Sequence, residues 1–353
     1  MSKMRTYTMA ALLCLLVALP ARAQETDRPP QNYVDDVTNA GTSAAAFLQI
    51  GVGARAQAMG NAATAMGADP TALFWNPAAV AGLGGNVHVA FDHTRWLADT
   101  QLDYVGAVFN LAGVGSIGLS ILNFQMIDEQ PVRTVDQPEG TGEFYSAADL
   151  ALAATYAVAL TDRFSAGLTG KYVRESLWNE TASTFALDLG VTYRTKLPGL
   201  FLAASIANFG GDMRMDGRDL LRPYDDDPEN HSNDQLNARL DTDAFSLPLH
   251  FRFGLGYELA AGDLHRLTLA ADLLHPSDNT EAVNLGAEYT FWDTISLRGG
   301  MTALFERDRT GGATFGLGVQ RKLLGGLGLG ADYTYADWGI LEATHRITIT
   351  VSR

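Results

Sequence analysis

The residues best suited to catalysis near the start of the first apolar segment are His88, Asp92 and His93. A carboxylate and an imidazole are the side chains that activate a hydroxyl nucleophile in many hydrolases. In an extended chain, however, His88 and Asp92 lie on one face and His93 lies on the other, because side chains alternate. The sequence also lacks the G-x-S-x-G and H-E-x-x-H motifs. We therefore predict that the protein is not an enzyme and uses no cofactor.

A second group of candidate ligands lies between residues 209 and 245, a stretch with ten acidic side chains and four arginines. Asp225, Asp226 and Asp227 follow one another there. Carboxylate oxygens are the ligands that calcium prefers, but the spacing matches no calcium-loop pattern. We therefore interpret the stretch as a solvated surface loop and predict no metal site.

A third set of polar residues occupies alternate positions within otherwise apolar segments. Its members are Lys171, Asp188, Arg194, His250, Arg252, Glu258, Asp272, Glu288, Arg298 and Asp332. If these segments are strands of a barrel, the residues face its lumen, where charges of opposite sign pair instead of lining a wide aqueous pore. We predict a lumen network that ties a plug to the wall, and contact with a substrate is the alternative interpretation.

The segments that carry these residues are predicted to be β-strands. Between residues 184 and 194, Phe185, Leu187, Leu189, Val191 and Tyr193 alternate with polar or small residues, which is the period of a strand with two different faces. The same period recurs after residue 85. The fourteen predicted strands are 87–91, 102–111, 116–124, 150–160, 164–172, 184–194, 202–208, 249–258, 267–273, 283–291, 295–301, 315–319, 327–335 and 347–351.

The strand count, strand length and link lengths favour a membrane barrel over a soluble β-sandwich. The number of strands is even, and several are long enough to cross a bilayer when tilted. Short links alternate with longer ones, as in an up-and-down meander with turns at one rim and loops at the other. We predict an all-β fold, a 14-stranded antiparallel transmembrane β-barrel in the cell outer membrane. Its outer wall contacts outer-membrane lipid, and the stretch 209–245 faces outside the cell.

The residues before the barrel are predicted to form three segments. Residues 1–23 have a basic start, an apolar stretch and an Ala-Arg-Ala cleavage site, which is typical of a secretory signal peptide. Residues 24–40 form an N-terminal extension. Residues 41–84 are rich in Ala and Gly, have no period of two and contain candidate short helices, so we predict a small helical or irregular plug. The barrel itself is predicted to span residues 85–353.

Composition narrows the range of partners. The formal net charge is -15, which opposes binding to polyanions, so we predict no nucleic-acid partner. The single cysteine, Cys14, lies in the predicted signal peptide. A disulfide framework and a cysteine-ligated metal site are therefore excluded.

The predicted plug resembles the N-terminal signature of the PorV/PorQ family of outer-membrane proteins, which is related to the FadL-type long-chain fatty-acid transporters. The matching positions are Gly51, Gly53, Arg55, Met59, Gly60, Asp69, Ala72, Trp75, Asn76, Pro77 and Ala78. The resemblance implies a plugged barrel and a role in type IX secretion. The best-known member of that family takes folded cargo proteins, by their C-terminal signal domains, from the translocon to a surface attachment complex.

Two functions remain open at this point. In the first, the barrel is a binding and scaffold component of protein secretion and surface attachment, with the secretion translocon or cargo C-terminal domains as partners. In the second, it is a FadL-like transporter whose plug opens a path for a hydrophobic small molecule. A transporter needs a pocket with large apolar side chains, and the predicted plug supplies mostly Ala, Gly and Met besides Phe47, Leu48, Phe74 and Trp75. That composition favours the scaffold.

Overall fold

The computed structural model describes residues 39–67, 69–225, 229, 236–260, 264–306 and 311–353, all within the compact unit Thr38–Arg353. The predicted signal peptide, residues 24–38 of the predicted extension, Asp226 and Asp227 lie outside the described residues. Within the described ranges, no helix is long and apolar enough to span a membrane.

Fourteen long strands carry the fold. They are β1 Val87–Arg95, β2 Thr100–Leu111, β3 Gly115–Met126, β4 Ala147–Ala159, β5 Phe164–Leu177, β6 Glu180–Arg194, β7 Leu200–Gly210, β8 His250–Ala260, β9 His265–Pro276, β10 Ala282–Phe291, β11 Ile295–Leu304, β12 Ala313–Lys322, β13 Gly328–Asp337 and β14 Ala343–Ser352. Each strand pairs antiparallel with the next, and β1 pairs with β14, so the sheet closes on itself. The predicted 14-stranded antiparallel barrel is confirmed.

The two faces of each strand differ in polarity. In β14, Arg346 and Thr348 are buried, whereas Ile347, Ile349 and Val351 are exposed on the outside of the barrel. The other strands repeat this pattern, with large apolar side chains on the outer wall and mainly small or polar ones inside. The large apolar side chains that face inward lie on β2, β3 and β5 and include Leu102, Tyr104, Leu122 and Val173. A wall that is apolar outside and polar inside is typical of a barrel surrounded by lipid.

The links between strands lie at two rims. The turn rim holds the links 112–114, 160–163, 195–199, 261–264, 292–294 and 323–327, together with the start of β1 and the end of β14. The loop rim holds the links 96–99, 127–146, 178–179, 211–249, 277–281, 305–312 and 338–342. The predicted alternation of lengths is therefore wrong at 96–99, 178–179, 277–281 and 338–342, which have two to five residues and are as short as the turns. The difference from the predicted lengths is largest at 96–99 and 178–179. Here β1, β5 and β6 run beyond their apolar stretches, because backbone pairing does not require apolar side chains.

The residues before β1 form short helical turns instead of strands. We call residues 39–86 the N-terminal segment. It contains a 3-10 helix at Ala46–Gln49, helix α1 at Ala54–Ala58, helix α2 at Ala72–Trp75 and a second 3-10 helix at Pro77–Gly82. Its apolar side chains pack against the inner face of the wall, where Phe47 and Leu48 share one cluster with inward residues of β2 and β3. The N-terminal segment therefore lies inside the ring of strands.

The longest link, residues 211–249, folds back on itself at the loop rim, and we call it the long loop. Leu221–Tyr224 pairs with Leu236–Arg239, and Met213–Arg214 pairs with Ala244–Phe245. Asp216–Gly217 extends the sheet beside the start of β6. The described part of the stretch that we interpreted as a solvated loop thus has its own hairpin, anchored on the barrel.

Candidate functional site

The N-terminal segment is bonded to the wall on almost every side. Among the described residues, hydrogen bonds join it to side chains or backbone of eleven of the fourteen strands, all except β4, β8 and β11. Buried polar groups that lack a partner are costly, so each of these bonds favours one position of the segment over displaced ones. The lumen is therefore a structural site that fixes the N-terminal segment within the barrel.

Arg55 of helix α1 begins a chain of four alternating charges. Its guanidinium donates two hydrogen bonds to Glu288 of β10, at 2.9 and 2.7 Å. Glu288 also accepts a bond of 2.5 Å from Arg298 of β11, which in turn donates a bond of 2.5 Å to Asp332 of β13. Burial lowers the pKa of Arg55, but the Glu288 carboxylate opposes it and leaves that pKa above its ordinary value. The four charges sum to zero, so the chain of ion pairs can be buried without a net charge.

A second charge cluster holds residues 51–54. Asp92 of β1 accepts hydrogen bonds from the Gly53 backbone N–H at 3.2 Å and from the Thr348 hydroxyl at 2.5 Å. Arg346 of β14 lies 3.6 Å from Asp92 and donates to the Gly51 carbonyl. Arg346 and Asp92 are both fully buried. This cluster uses the backbone of two motif glycines as its partners.

A carboxylate of β9 fixes the next turn of the N-terminal segment. Asp272 accepts three hydrogen bonds on one oxygen, from the Ala63 and Thr64 backbone N–H groups at 2.9 Å and from the Thr64 hydroxyl at 2.7 Å. Asp272 is one of the predicted lumen residues, and it contacts the N-terminal segment directly.

The Trp-Asn-Pro-Ala part of the family motif joins helix α2 to the second 3-10 helix. The Trp75 indole donates to the Val52 carbonyl at 2.8 Å. The Asn76 side chain caps the second 3-10 helix by accepting from the Ala78 N–H at 3.0 Å, and it donates to the Val191 carbonyl of β6 at 3.1 Å. Pro77 occupies the first helical position, where its missing N–H costs nothing. Ala78 is fully buried.

The remaining motif residues serve packing and turns. Met59 is fully buried and lies in a cluster with Ala270 of the wall. Gly60 has a φ of 63°, and a side chain there would meet the backbone of Leu285 and Met301 at 2.6 Å. The Asp69 side chain accepts from the Thr71 N–H at 2.8 Å and so starts the turn before helix α2.

The wall contributes glycines that the sequence pattern did not single out. A methyl group on Gly300 would overlap the Gly60 backbone, and one on Gly286, its partner across β10 and β11, would overlap Met59. On β6, Gly190 lies beneath Asn76 and Pro77 in the same way. In the sequence, these glycines alternate with apolar residues, and that alternation predicts only that they face inward. The structure shows what they provide, which is room for the N-terminal segment to lie against the wall.

The other predicted lumen residues lie in three different places. Lys171 of β5 pairs with Asp188 of β6 at 2.6 Å, and neither bonds the described part of the N-terminal segment. Arg252 of β8 is buried with its guanidinium 5.3 Å from the Trp75 ring, while His250 is buried with no hydrogen-bond partner for either ring nitrogen within the described part of the chain. Arg194 and Glu258 are exposed near the turn rim, so they do not join the buried network. These last two lie where the lumen opens to solvent.

His88, Asp92 and His93 are not brought together. His88 and Asp92 face the lumen, and Asp92 belongs to the cluster with Arg346. His93 instead pairs with Asp103 of β2 at 2.7 Å. Among the described residues, no group of three or more His, Cys, Asp or Glu side chains is placed to hold a metal ion.

Acidic and basic side chains of the long loop pair with one another at the loop rim. Arg239 contacts Asp216 at 2.5 Å, and Arg214 contacts Asp241. Asp219 accepts from the Asn179 side chain at 2.7 Å, which joins the loop to the link after β5. Asp225, the described member of the three consecutive aspartates, follows the strand Leu221–Tyr224. The acidic residues in the described part of the long loop therefore lie on a folded surface.

The outer wall carries an apolar groove of about 990 Å³ across strands β2 to β7. Large outward side chains surround it, and the small residues Ala154 and Gly170 lie side by side on its floor. The large side chains are Leu119, Ile121, Leu152, Phe185, Leu187 and Phe209. Because these residues belong to the apolar outer wall, the groove faces lipid and not the lumen.

Comparison with known proteins agrees with this architecture. The family model described as "Type IX secretion system protein PorV" matches residues 33–216, just over half of the chain. No curated protein matches the sequence. The family match and the closed barrel together assign the protein to the cell outer membrane, where its outer wall contacts lipid.

Solved structures with the same fold include three outer-membrane proteins. The toluene transporter TbuX of Ralstonia pickettii is 14% identical, with a TM-score of 0.54 over 85% of this chain and 97% of that chain. The toluene transporter TodX of Pseudomonas putida is 13% identical, with a TM-score of 0.54 over 86% and 97%. A FadL homologue of Pseudomonas aeruginosa is 12% identical, with a TM-score of 0.52 over 86% and 98%. At these identities the likeness shows the fold alone.

Proposed function

The chain belongs to the family of the type IX secretion system protein PorV, and on that basis we propose that it is a binding and scaffold component of protein secretion and surface attachment. Its partners in this role are the secretion translocon or the C-terminal signal domains of cargo proteins. Its chemistry is recognition, with no bond made or broken. The protein acts from the outer membrane with the loop rim facing outside the cell.

The observation that carries this proposal is the way in which the N-terminal segment is held. Bonds to eleven strands and a neutral chain of four charges fix it at many points. Opening a path through the lumen would break several of these buried pairs at once, and truncating one partner of a single buried pair typically costs about 3 to 5 kcal/mol. A scaffold has no need for such movement, because its partners bind outside the lumen.

The long loop is the surface best suited to hold a partner. It rises from the loop rim as a folded hairpin, and its ten acidic side chains exceed its four arginines. A partner with a basic or mixed surface complements this charge. Exposed charges act over about 8 Å at physiological ionic strength, so capture should weaken as salt rises.

Deleting residues 218–240 tests the proposed docking surface. Met213 must stay, because it is buried in the same cluster as Phe47, and Thr242 must stay because its hydroxyl donates to the Met215 carbonyl at 2.6 Å. The two ends of the deletion are already close, since the Leu240 N–H donates to the Leu220 carbonyl at 2.9 Å. A short Gly-Ser linker can therefore replace the hairpin without disturbing the barrel.

We expect the deletion to leave the barrel assembled and to weaken capture of a purified cargo C-terminal signal domain by about tenfold or more, which is about 1.4 kcal/mol. Binding is measured on the purified protein in detergent, at low and at physiological salt. A matched control removes residues 134–140 from the link 127–146, the other extended loop at this rim. Undiminished capture by the 218–240 deletion would refute the proposed docking surface.

A second candidate is transport of a hydrophobic small molecule, which the names of TbuX and TodX describe for those proteins of the same fold. The observation that favours it is the aromatic pair Phe74 and Trp75 inside the lumen. In a transporter, Phe74 would line the path, because it packs on Trp75 with ring centres 5.2 Å apart and lies 5.9 Å from the Arg252 guanidinium. The scaffold account expects Phe74→Ala to leave cellular uptake of labelled toluene unchanged. Uptake that exceeds a strain without the protein and falls in Phe74→Ala would favour the transporter.

A further inference from the structure

The direction in which the N-terminal segment passes through the barrel places its two ends at opposite rims. At the loop rim, the Ala44 N–H donates to the Ser246 carbonyl of the long loop at 2.9 Å. The Ser43 hydroxyl donates to Asp278, in the link 277–281, at 2.7 Å. The Ala45 N–H donates to Glu175, near the loop-rim end of β5, at 2.8 Å. Three separate parts of the loop rim thus hold the first described residues.

The other end of the N-terminal segment lies at the turn rim. The Asn110 side chain, near the turn-rim end of β2, donates to the Leu83 and Gly85 carbonyls at 2.7 and 2.8 Å. The Asn86 N–H donates to the carbonyl of Arg353 at 2.6 Å. The contacts between the two ends follow the same direction. Residues 53 and 54 bond Asp92 and Thr348, in the half of the wall nearer the loop rim. Asn76 bonds Val191, in the half nearer the turn rim.

We infer that the chain threads the barrel from the loop rim to the turn rim, and that residues 39–44 form part of the same recognition face as the long loop. Residues 39–42 are exposed, and Ser246 joins this end directly to the root of the long loop. The first strand begins and the last strand ends at the turn rim. The strand order alone would therefore place residues 39–44 at the turn rim, opposite to where their contacts place them. The inference about the face rests on the proposed function, whereas the threading rests on the contacts alone.

Cysteine labelling at the two ends tests the threading. Ala40 and Gly84 are both exposed, and an added Cβ at Gly84 has no heavy atom within 4 Å. Ala40→Cys should react with a membrane-impermeant maleimide in intact cells, together with Asp243→Cys at an exposed position of the long loop. Gly84→Cys should react only after the outer membrane is permeabilised. If Ala40→Cys is labelled only under the conditions that label Gly84→Cys, and not under those that label Asp243→Cys, the threading is overturned.

A second readout tests the shared recognition face. A large polyethylene-glycol maleimide attached to Ala40→Cys should reduce capture of the cargo C-terminal signal domain severalfold, while the same label on Gly84→Cys should leave capture unchanged. If the 218–240 deletion abolishes capture but the label on Ala40→Cys does not reduce it, the N-terminal end is not part of the face. If the deletion itself has no effect, the proposed function fails, while the labelling pattern still decides the threading.

Discussion

At the residue scale, Glu288 is the side chain on which the lumen network depends most. It accepts hydrogen bonds from both Arg55 and Arg298, and it is nearly inaccessible to solvent. Glu288→Ala leaves two guanidinium groups without their shared carboxylate, so we expect the free energy of unfolding to fall by about 3 to 5 kcal/mol. The measurement is the denaturant or heat needed to unfold the purified barrel in detergent, followed by its gel mobility without boiling.

Glu281→Ala is the matched control for Glu288→Ala. Glu281 is exposed at the loop rim and pairs with His275 at 3.0 Å. Its pKa lies below the ordinary value because its own backbone N–H and then His275 favour the charged form. A pair this exposed contributes little to stability, so no measurable change in the free energy of unfolding is expected. Equal losses in the two variants would mean that the buried chain of charges has no special role.

Sequence alone identifies the inward face of these residues but not their partners. Period-two alternation predicts that Asp188, Asp272 and Glu288 face the lumen, because strand geometry fixes that property locally. Which charges meet depends on the register of distant strands and on where Arg55 comes to lie, and neither is a local property. Arg194 and Glu258 occupy inward positions in the strand alternation, as the buried residues do. They lie at the open end of the lumen, however, where an inward side chain is exposed to solvent.

At the scale of elements, the contact between the N-terminal segment and strands β10 and β11 depends on small residues on both sides. Gly286 and Gly300 face each other beneath Met59 and Gly60. We expect Gly300→Ala to displace the segment and to destabilise the protein by about 1 to 3 kcal/mol, as overpacking commonly does. Protease sensitivity of the segment in the assembled barrel, and heat stability, are the measurements.

Gly170→Ala is the control for Gly300→Ala, because an added Cβ there has no heavy atom within 4 Å. It should be neutral or slightly stabilising, since glycine within a strand costs backbone entropy. A comparable loss in both variants would indicate a general intolerance of the strands to alanine. The ends of the strands show a related limit of sequence reasoning. β5 and β6 continue to the two-residue link 178–179 through residues 173–177 and 180–183, which lack a regular apolar alternation.

At the scale of the whole molecule, the number of strands and the closure of the barrel could be predicted because they depend on repeated local patterns. The packing of the N-terminal segment could not be predicted in the same way. Its composition indicates close packing, but its path follows from contacts with eleven strands that are far away in sequence. The same holds for the long loop, whose hairpin is fixed by pairing within the loop and with β6.

The most direct test of the scaffold account is to lock the N-terminal segment to the wall. Ala65 and Gly256 of β8 suit a disulfide, because a Cβ added at Gly256 lies 3.4 Å from the Ala65 Cβ, close to the usual spacing. Attachment of cargo at the cell surface is measured for Ala65→Cys/Gly256→Cys under oxidising and reducing conditions, with each single variant as a control. If the protein is a scaffold, cargo attachment continues when the disulfide is formed. Loss of attachment on oxidation, recovered on reduction and absent from both single variants, would contradict the scaffold role.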